Sequence, residues 1–194
     1  DPETNRKTLS LSEKYDIVKP CLGIHPIQKN YNENYSIKIE NNNKLKNNSD
    51  YKKIIQQNNN YNNKLNNNKN LKNIDIDKEN KFIEKNKNNI AAISEVGLDY
   101  HWNKNNVNEQ KNLFEKMINV AEKLNKPIIV HSRKAEQDCI DMLKSSKLKG
   151  IIMHCFTGKK SLVKKIIDSG WFLTAPTCIA RSNQFQENVK LAPI

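Results

Sequence analysis

Apolar residues in this chain gather into two alternating patterns. Residues 108–125, NEQKNLFEKMINVAEKLN, put Leu113, Phe114, Met117, Val120, Ala121 and Leu124 at helical spacing. Shorter helical patterns cover 3–15, with Leu9 and Leu11 available for a buried face, and 134–146, with Ala135, Cys139, Ile140, Met142 and Leu143. SLVKKIIDSG reads as a helix closed by Gly170, and a last helix starts near Ser182. Between these lie brief, nearly continuous apolar runs. YDIVKPCLGIHP reads as a strand ending near Gly23; NIAAISEVG, PIIVH, GIIMH and WFLTA read as buried strands. The order is strand, helix, strand, helix. Runs that are apolar on both faces predict a parallel sheet covered on both sides, either a (β/α) barrel or an open doubly wound sheet.

Composition interrupts this rhythm once. Residues 41–73 contain 15 Asn in 33 positions, too little apolar surface to offset the entropy of ordering. The segment 30–88 therefore reads as a low-complexity Asn/Lys-rich insertion, expected to be disordered, within one domain spanning 1–194. Residues 38–88 hold twelve Lys and six acids, which is half of the formal net charge of +12. The basic balance favours polyanionic partners, and codon bias toward Asn, Lys and Ile accounts for it equally well. Mean hydropathy is −0.84, and no apolar run approaches the 18 residues of a membrane span. Cys21, Cys139, Cys155 and Cys178 form no CxxC pair, so thiols, mostly buried, are expected rather than disulfides or a cysteine metal site.

Candidate chemistry comes from how three strands end. AISEVG carries Glu95, PIIVH carries His131 and GIIMH carries His154, each at the C-terminal end of an apolar run. In a parallel sheet all such ends share one rim. An ionised acid in that setting needs a partner. A carboxylate and two imidazoles on one rim suit a divalent cation such as Zn or Mn. A lone histidine after a strand is usually a satisfied core residue; three successive strand ends of this kind point to a metal centre.

CLGIHP, AISEVGLDY, PIIVHSR and IIMHCFTG, in that order, resemble the signature blocks of the TatD-like metal-dependent deoxyribonucleases, which are amidohydrolase-type TIM barrels. The resemblance covers about residues 3–190 outside the insertion. It implies an α/β fold, a partial (β/α)8 barrel with about five of eight strands. The first two strands, with the family's H-x-H pair, and the last, with its E-T-D block, are expected to lie outside the chain, which then reads as a fragment. The activity implied is hydrolysis of DNA phosphodiester bonds, as an exonuclease, with two divalent metal ions (Mg, Mn or Zn). Carried over residue by residue, Glu95 bridges the two ions, and His131 and His154 hold the second. His25 lies beside substrate phosphate.

Other rim residues carry two readings each. Arg133 could hold a phosphate or pair with Glu136. Asp99 could orient a metal-ligating imidazole or cap its loop. Tyr100 and Trp102 could stack on bases or cover the barrel mouth, and His101 is expected to be exposed. Thr157 and Gly158 could meet a phosphate, or Thr157 could cap the following helix. The expected partner is DNA; no membrane and no protein partner are expected, and the chain reads as a monomer. A cytoplasmic or nuclear location is favoured, with secretion left open. The alternatives are a metal hydrolase of another ester or amide on the same barrel, and a truncated, non-catalytic remnant.

Overall fold

The computed structural model describes residues 1–26, 74–102 and 104–193. Most of the Asn-rich tract, 30–73, lies outside the described residues. In chain order the elements are α1 (Pro2–Lys14), β1 (Cys21–Leu22), α2 (Ile76–Lys85), β2 (Ala92–Asp99), α3 (Val107–Leu124) and β3 (Ile128–Arg133). There follow α4 (Glu136–Lys144), β4 (Ile151–Met153), α5 (Lys160–Asp168), β5 (Phe172–Leu173), a 3-10 turn (Thr177–Arg181) and α6 (Asn183–Leu191).

The five strands form one sheet, all neighbours parallel, in the order β1-β2-β3-β4-β5. That order separates the two expected architectures. A doubly wound sheet reverses its strand order at a switch point, whereas a barrel adds each strand beside the last. Sequential order without reversal is barrel topology, with five strands among the described residues. Ile93 pairs with Ile128, which pairs with Ile151, and Val130 sits between Val96 and Met153. These rungs are fully buried. Each such side chain contributes about 1.5–3 kcal/mol relative to an exposed one.

The helices form where the apolar stripe and the capping residues predict them. In α3, Leu113, Phe114, Met117, Val120 and Ala121 are buried against the sheet. The helix ends at Asn125 in the left-handed conformation (φ 49°), whose N–H donates to the Ala121 and Glu122 carbonyls. Gly170 (φ 70°) closes α5 in the same way. In α1, Asp1 and Thr4 form a reciprocal capping box with Pro2 in the first turn. Leu9 is buried but Leu11 is 42% exposed. Residues two apart cannot share a helix face, and the buried partner of Leu9 is instead Asn5, one turn earlier.

One boundary is corrected. Residues 74–88 fall within the expected insertion, yet Ile76–Lys85 form α2, with Asp75 capping the Lys78 N–H and Glu79 and Ile83 buried. Glu79 is held by Asn5, whose amide donates to its Oε1 (2.8 Å), and by Arg6, whose Nη1 lies 2.9 and 2.8 Å from its two oxygens. Asn5 also bonds the backbone of Gly23, accepting from its N–H and donating to its carbonyl. The network joins α1, α2 and the segment that leads to His25. The thiols are all free: Cys139 is buried, Cys21 and Cys155 are half-buried, and Cys178 is exposed.

Candidate metal centre at the strand tips

Parallel register sets the predicted residues side by side, with one correction: Glu95, expected at a strand end, is the fourth of the eight residues of β2, and His131 is followed by two more residues of β3, while His154 comes directly after β4. Gly97 pairs with His131, and the His154 N–H donates to the Val130 carbonyl (2.9 Å), so the β3 and β4 tips are level. Along β2 the pairing register shifts between Ile93 and Val96, and Glu95 falls in that irregular stretch. Irregularities of this kind re-aim side chains next to functional sites. Gly97, at φ 136°, lies so close to β3 that a Cβ there would collide with the His131 carbonyl oxygen.

The Glu95 carboxylate sits between two imidazoles. Its Oε1 is 3.2 Å from His131 Nδ1 and 3.9 Å from His154 Nε2. His25 joins from the segment after β1, its ring 4.6 Å centroid to centroid from that of His131. The ligand atoms of His25, Glu95 and His131 all lie within 4.8 Å of one another. Two ligands on one first-row cation stand about 3–4 Å apart when each bond is ~2.1 Å. The donor set is therefore of the right chemistry and nearly of the right spacing for a divalent ion. His25, expected beside phosphate, is also within reach of that ion.

Neighbouring groups fix the side chains of the cluster. Asp99 is fully buried, and its Oδ2 lies 2.8 Å from His131 Nε2, while its Oδ1 accepts from the His101 and Trp102 backbone N–H groups, each at 2.9 Å. Asp99 thus hydrogen-bonds the His131 imidazole and caps its own loop at once. With Nε2–H donated to Asp99, Nδ1 is the atom His131 turns toward Glu95. On the other side, His154 Nδ1 lies 3.1 Å from Thr174 Oγ1, which also accepts from the Cys155 N–H, while His154 Nε2 lies 3.3 Å from Cys155 Sγ and 3.9 Å from Glu95 Oε1.

The electrostatics follow from these contacts. The hydrogen bond from His131, ahead of the opposing effect of burial, holds the Glu95 carboxyl below the usual range. Burial works against a charged His131, but the bonds to Glu95 and Asp99 together outweigh it and raise its pKa. His25 is pushed down to about 4, first by burial and then by the neighbouring His131 charge. Its ring is neutral at neutral pH and so able to bind an ion. A proton shared between His131 Nδ1 and Glu95 would compete with a cation for the same two atoms.

Two positioning residues escaped the sequence reading, though each left a trace there. Thr174 closes the apolar run WFLT, the same layout that marks Glu95 and His131. Gln110 is a buried polar residue on the apolar stripe of α3; its Oε1 accepts from the Asp99 N–H (2.7 Å) and its Nε2 donates to the Asp99 carbonyl (3.1 Å). Asp99→Asn is expected to weaken divalent metal binding by about 10- to 100-fold, the usual effect of losing the partner of a ligating imidazole. Calorimetric titration of the variant with Mn²⁺ measures it.

The remaining rim residues separate. The Arg133 guanidinium carbon lies 5.1 Å from the Trp102 ring centroid. Glu136, the alternative partner for Arg133, accepts from Thr157 Oγ1 (2.9 Å). Thr157 does not cap α5, where Lys159 holds the N-cap position. The Tyr100 hydroxyl donates to Asp138 (2.7 Å), and burial followed by that carboxylate raises its pKa. His101 is exposed and packs edge-on against Trp102. A cavity of about 410 Å³ lined by Tyr100, Lys134, Glu136, Thr157 and Lys159 includes none of the four cluster residues. Among the described residues no helix is long and apolar enough to cross a membrane.

The chain has relatives. The human protein called Deoxyribonuclease TATDN3 is 30% identical over 194 residues, covering 97% of this chain and 58% of its own length. A Bacillus subtilis protein called Uncharacterized metal-dependent hydrolase YabD is 35% identical over 108 residues, 54% of this chain and 42% of that one. The crystal structure of the Escherichia coli TatD homologue YJJV superposes over 99% of this chain and 60% of its own, with TM-score 0.68 at 19% identity, a likeness of fold. The chain thus spans somewhat over half the length of the TATDN3 relatives it matches. The family model described as TatD related DNase matches residues 1–194, and the chain belongs to that family.

Proposed function

We propose that this chain carries the metal-binding rim of a divalent-metal-dependent hydrolase that cleaves DNA phosphodiester bonds, working inward from strand ends. The observation that carries the reading is the Glu95 carboxylate, on β2, set between His131 of β3 and His154 just after β4, at 3.2 and 3.9 Å. Glu95, His131 and His154 would hold a divalent ion, with Glu95 shared with a second one, and His25 within reach. A bound divalent ion supplies Lewis-acid polarisation of a phosphoryl oxygen and a nucleophile from water at neutral pH.

The rest of the chemistry is the chain's own. Asp99 and Thr174 hold the two imidazoles with their other nitrogens turned inward, so little reorganisation accompanies reaction. Glu95 contributes the negative charge that anchors a cation. Arg133, an exposed guanidinium two residues beyond His131, neutralises phosphate charge with a planar fork that lysine lacks. His25, neutral at working pH, can donate one ring N–H to a phosphate oxygen while its other nitrogen faces the cluster.

Incubation of the protein with single-stranded and duplex oligonucleotides and with a p-nitrophenyl ester, in Mg²⁺, Mn²⁺ or EDTA, tests this. Metal-dependent release of nucleotides from DNA ends is the expected result. Turnover of the ester alone would assign the site to another hydrolase. No metal-dependent turnover of either substrate would remove hydrolysis from this chain.

A further inference from the structure

Trp102 is 40% exposed at the rim, immediately past the metal centre, in a sequence where aromatic residues are only 7% of the total. Single exposed apolar side chains are common and carry no meaning by themselves. Three features set this one apart. First, its backbone is fastened: the Trp102 N–H and the neighbouring His101 N–H both donate to Asp99 Oδ1. Second, the carboxylate that fastens it also orients His131 through Oδ2, so a single buried side chain ties the indole to the ligand set. Third, the indole is paired with a cation on the next strand, the Arg133 guanidinium carbon lying 5.1 Å from the ring centroid, within the range of a cation–π contact. Tyr100 does not share this role, because its hydroxyl is engaged with Asp138.

A planar guanidinium beside an exposed, anchored indole offers two things that a nucleotide needs. A base can extend the stack on π surface, and the positive charge stands where the adjoining phosphate lies. We propose that Trp102 and Arg133 form a stacking platform for an unpaired nucleobase next to the scissile phosphate, so that substrates are selected by possession of a base as well as of a phosphodiester. The platform rests on the nucleic-acid-cleaving reading above for its purpose, but its binding does not require hydrolysis. A base docked there would hold the strand on the side of the cluster faced by β2 and β3, with sequence tolerance, because every base has a π face.

The test is made in EDTA, where no metal-dependent cleavage occurs. The chain holds two Trp, so Trp171→Phe leaves Trp102 as its only indole. This protein is titrated with a short oligothymidylate and with an abasic oligonucleotide of the same length. Stacking on one base predicts quenching of Trp102 emission by the first and not the second, and about tenfold tighter binding of the first. In the parent protein, Trp102→Leu should remove that tenfold preference and leave the abasic strand bound as before. Equal binding of the two strands would overturn the platform, and so would a Trp102→Leu variant that weakens both alike, the mark of a merely structural indole. Base-dependent quenching from a protein that cuts no DNA in Mg²⁺ or Mn²⁺ would sink the nuclease reading and leave the platform standing. Cleavage with base-independent binding would do the reverse.

Discussion

Glu95→Gln is expected to reduce metal-dependent cleavage by about 10³-fold or more, because several kcal/mol of charge stabilisation is withdrawn from the reacting centre. The substitution keeps the shape of the side chain and removes its charge. The Glu95 side chain is one-third exposed, so the fold should persist, with a small fall in thermal midpoint from the lost pairing with His131. A second readout belongs to the same variant. The Glu95 carboxylate is one of two that raise the pKa of His131. In the metal-free protein, Glu95→Gln should therefore lower that pKa, as read by NMR titration of the imidazole. Unchanged cleavage together with an unmoved His131 would show that the carboxylate is a bystander.

The largest stability effect is expected outside the Glu95 cluster. Arg6→Met should destabilise the fold by about 3 kcal/mol, because it leaves the Glu79 carboxylate, 2% exposed, without its cation. Arg6 itself is 42% exposed, which places the loss at the low end of the range for broken buried pairs. For a chain of this size that is a fall of about 10 °C in thermal midpoint. The double variant Arg6→Met with Glu79→Leu should recover most of the loss, since a buried pair replaced by apolar groups is often neutral. Arg6 also lies over Phe82, at 3.9 Å from the ring centroid, so part of the single-variant effect is packing, which Met partly retains. Because Asn5 bonds both Glu79 and the Gly23 backbone, two residues before His25, this network also supports the first ligand-bearing segment.

What the sequence disclosed and what it concealed divide along physical lines. The cluster was legible because a polar residue in or after an apolar run is a local signal and parallel pairing then does the assembly: Glu95, His131 and His154 meet without any of them being close in sequence, although Glu95 lies within β2 and not at its end. The order of the strands was not legible from periodicity, since barrels and doubly wound sheets share the same alternation; the resemblance of four ordered blocks separated them, and the observed sheet order agrees. Helix α2 was hidden by averaging. Its surroundings are rich in Asn and Lys, yet Ile76, Glu79 and Ile83 recur at helical spacing behind the Asp75 cap. Glu79 on the inward face made the stripe look polar, and its partners, Asn5 and Arg6, lie more than seventy residues away. Leu11 misled for the opposite reason, as an apolar residue on the outer face of α1. Thr174 and Gln110 act through hydrogen bonds to other elements, and nothing within a few residues of either reveals the atom it serves.

The central claim is that Glu95 and its imidazoles grip a divalent cation. Calorimetric titration of the metal-free 194-residue chain with Mn²⁺, repeated in two buffers of different ionisation enthalpy, addresses it most directly. The expected result is saturable binding with proton release, since the ion displaces the proton shared by His131 and Glu95, and loss of that binding in Glu95→Gln and in His131→Ala. Absence of saturable binding, or binding that survives both substitutions unchanged, would contradict the account.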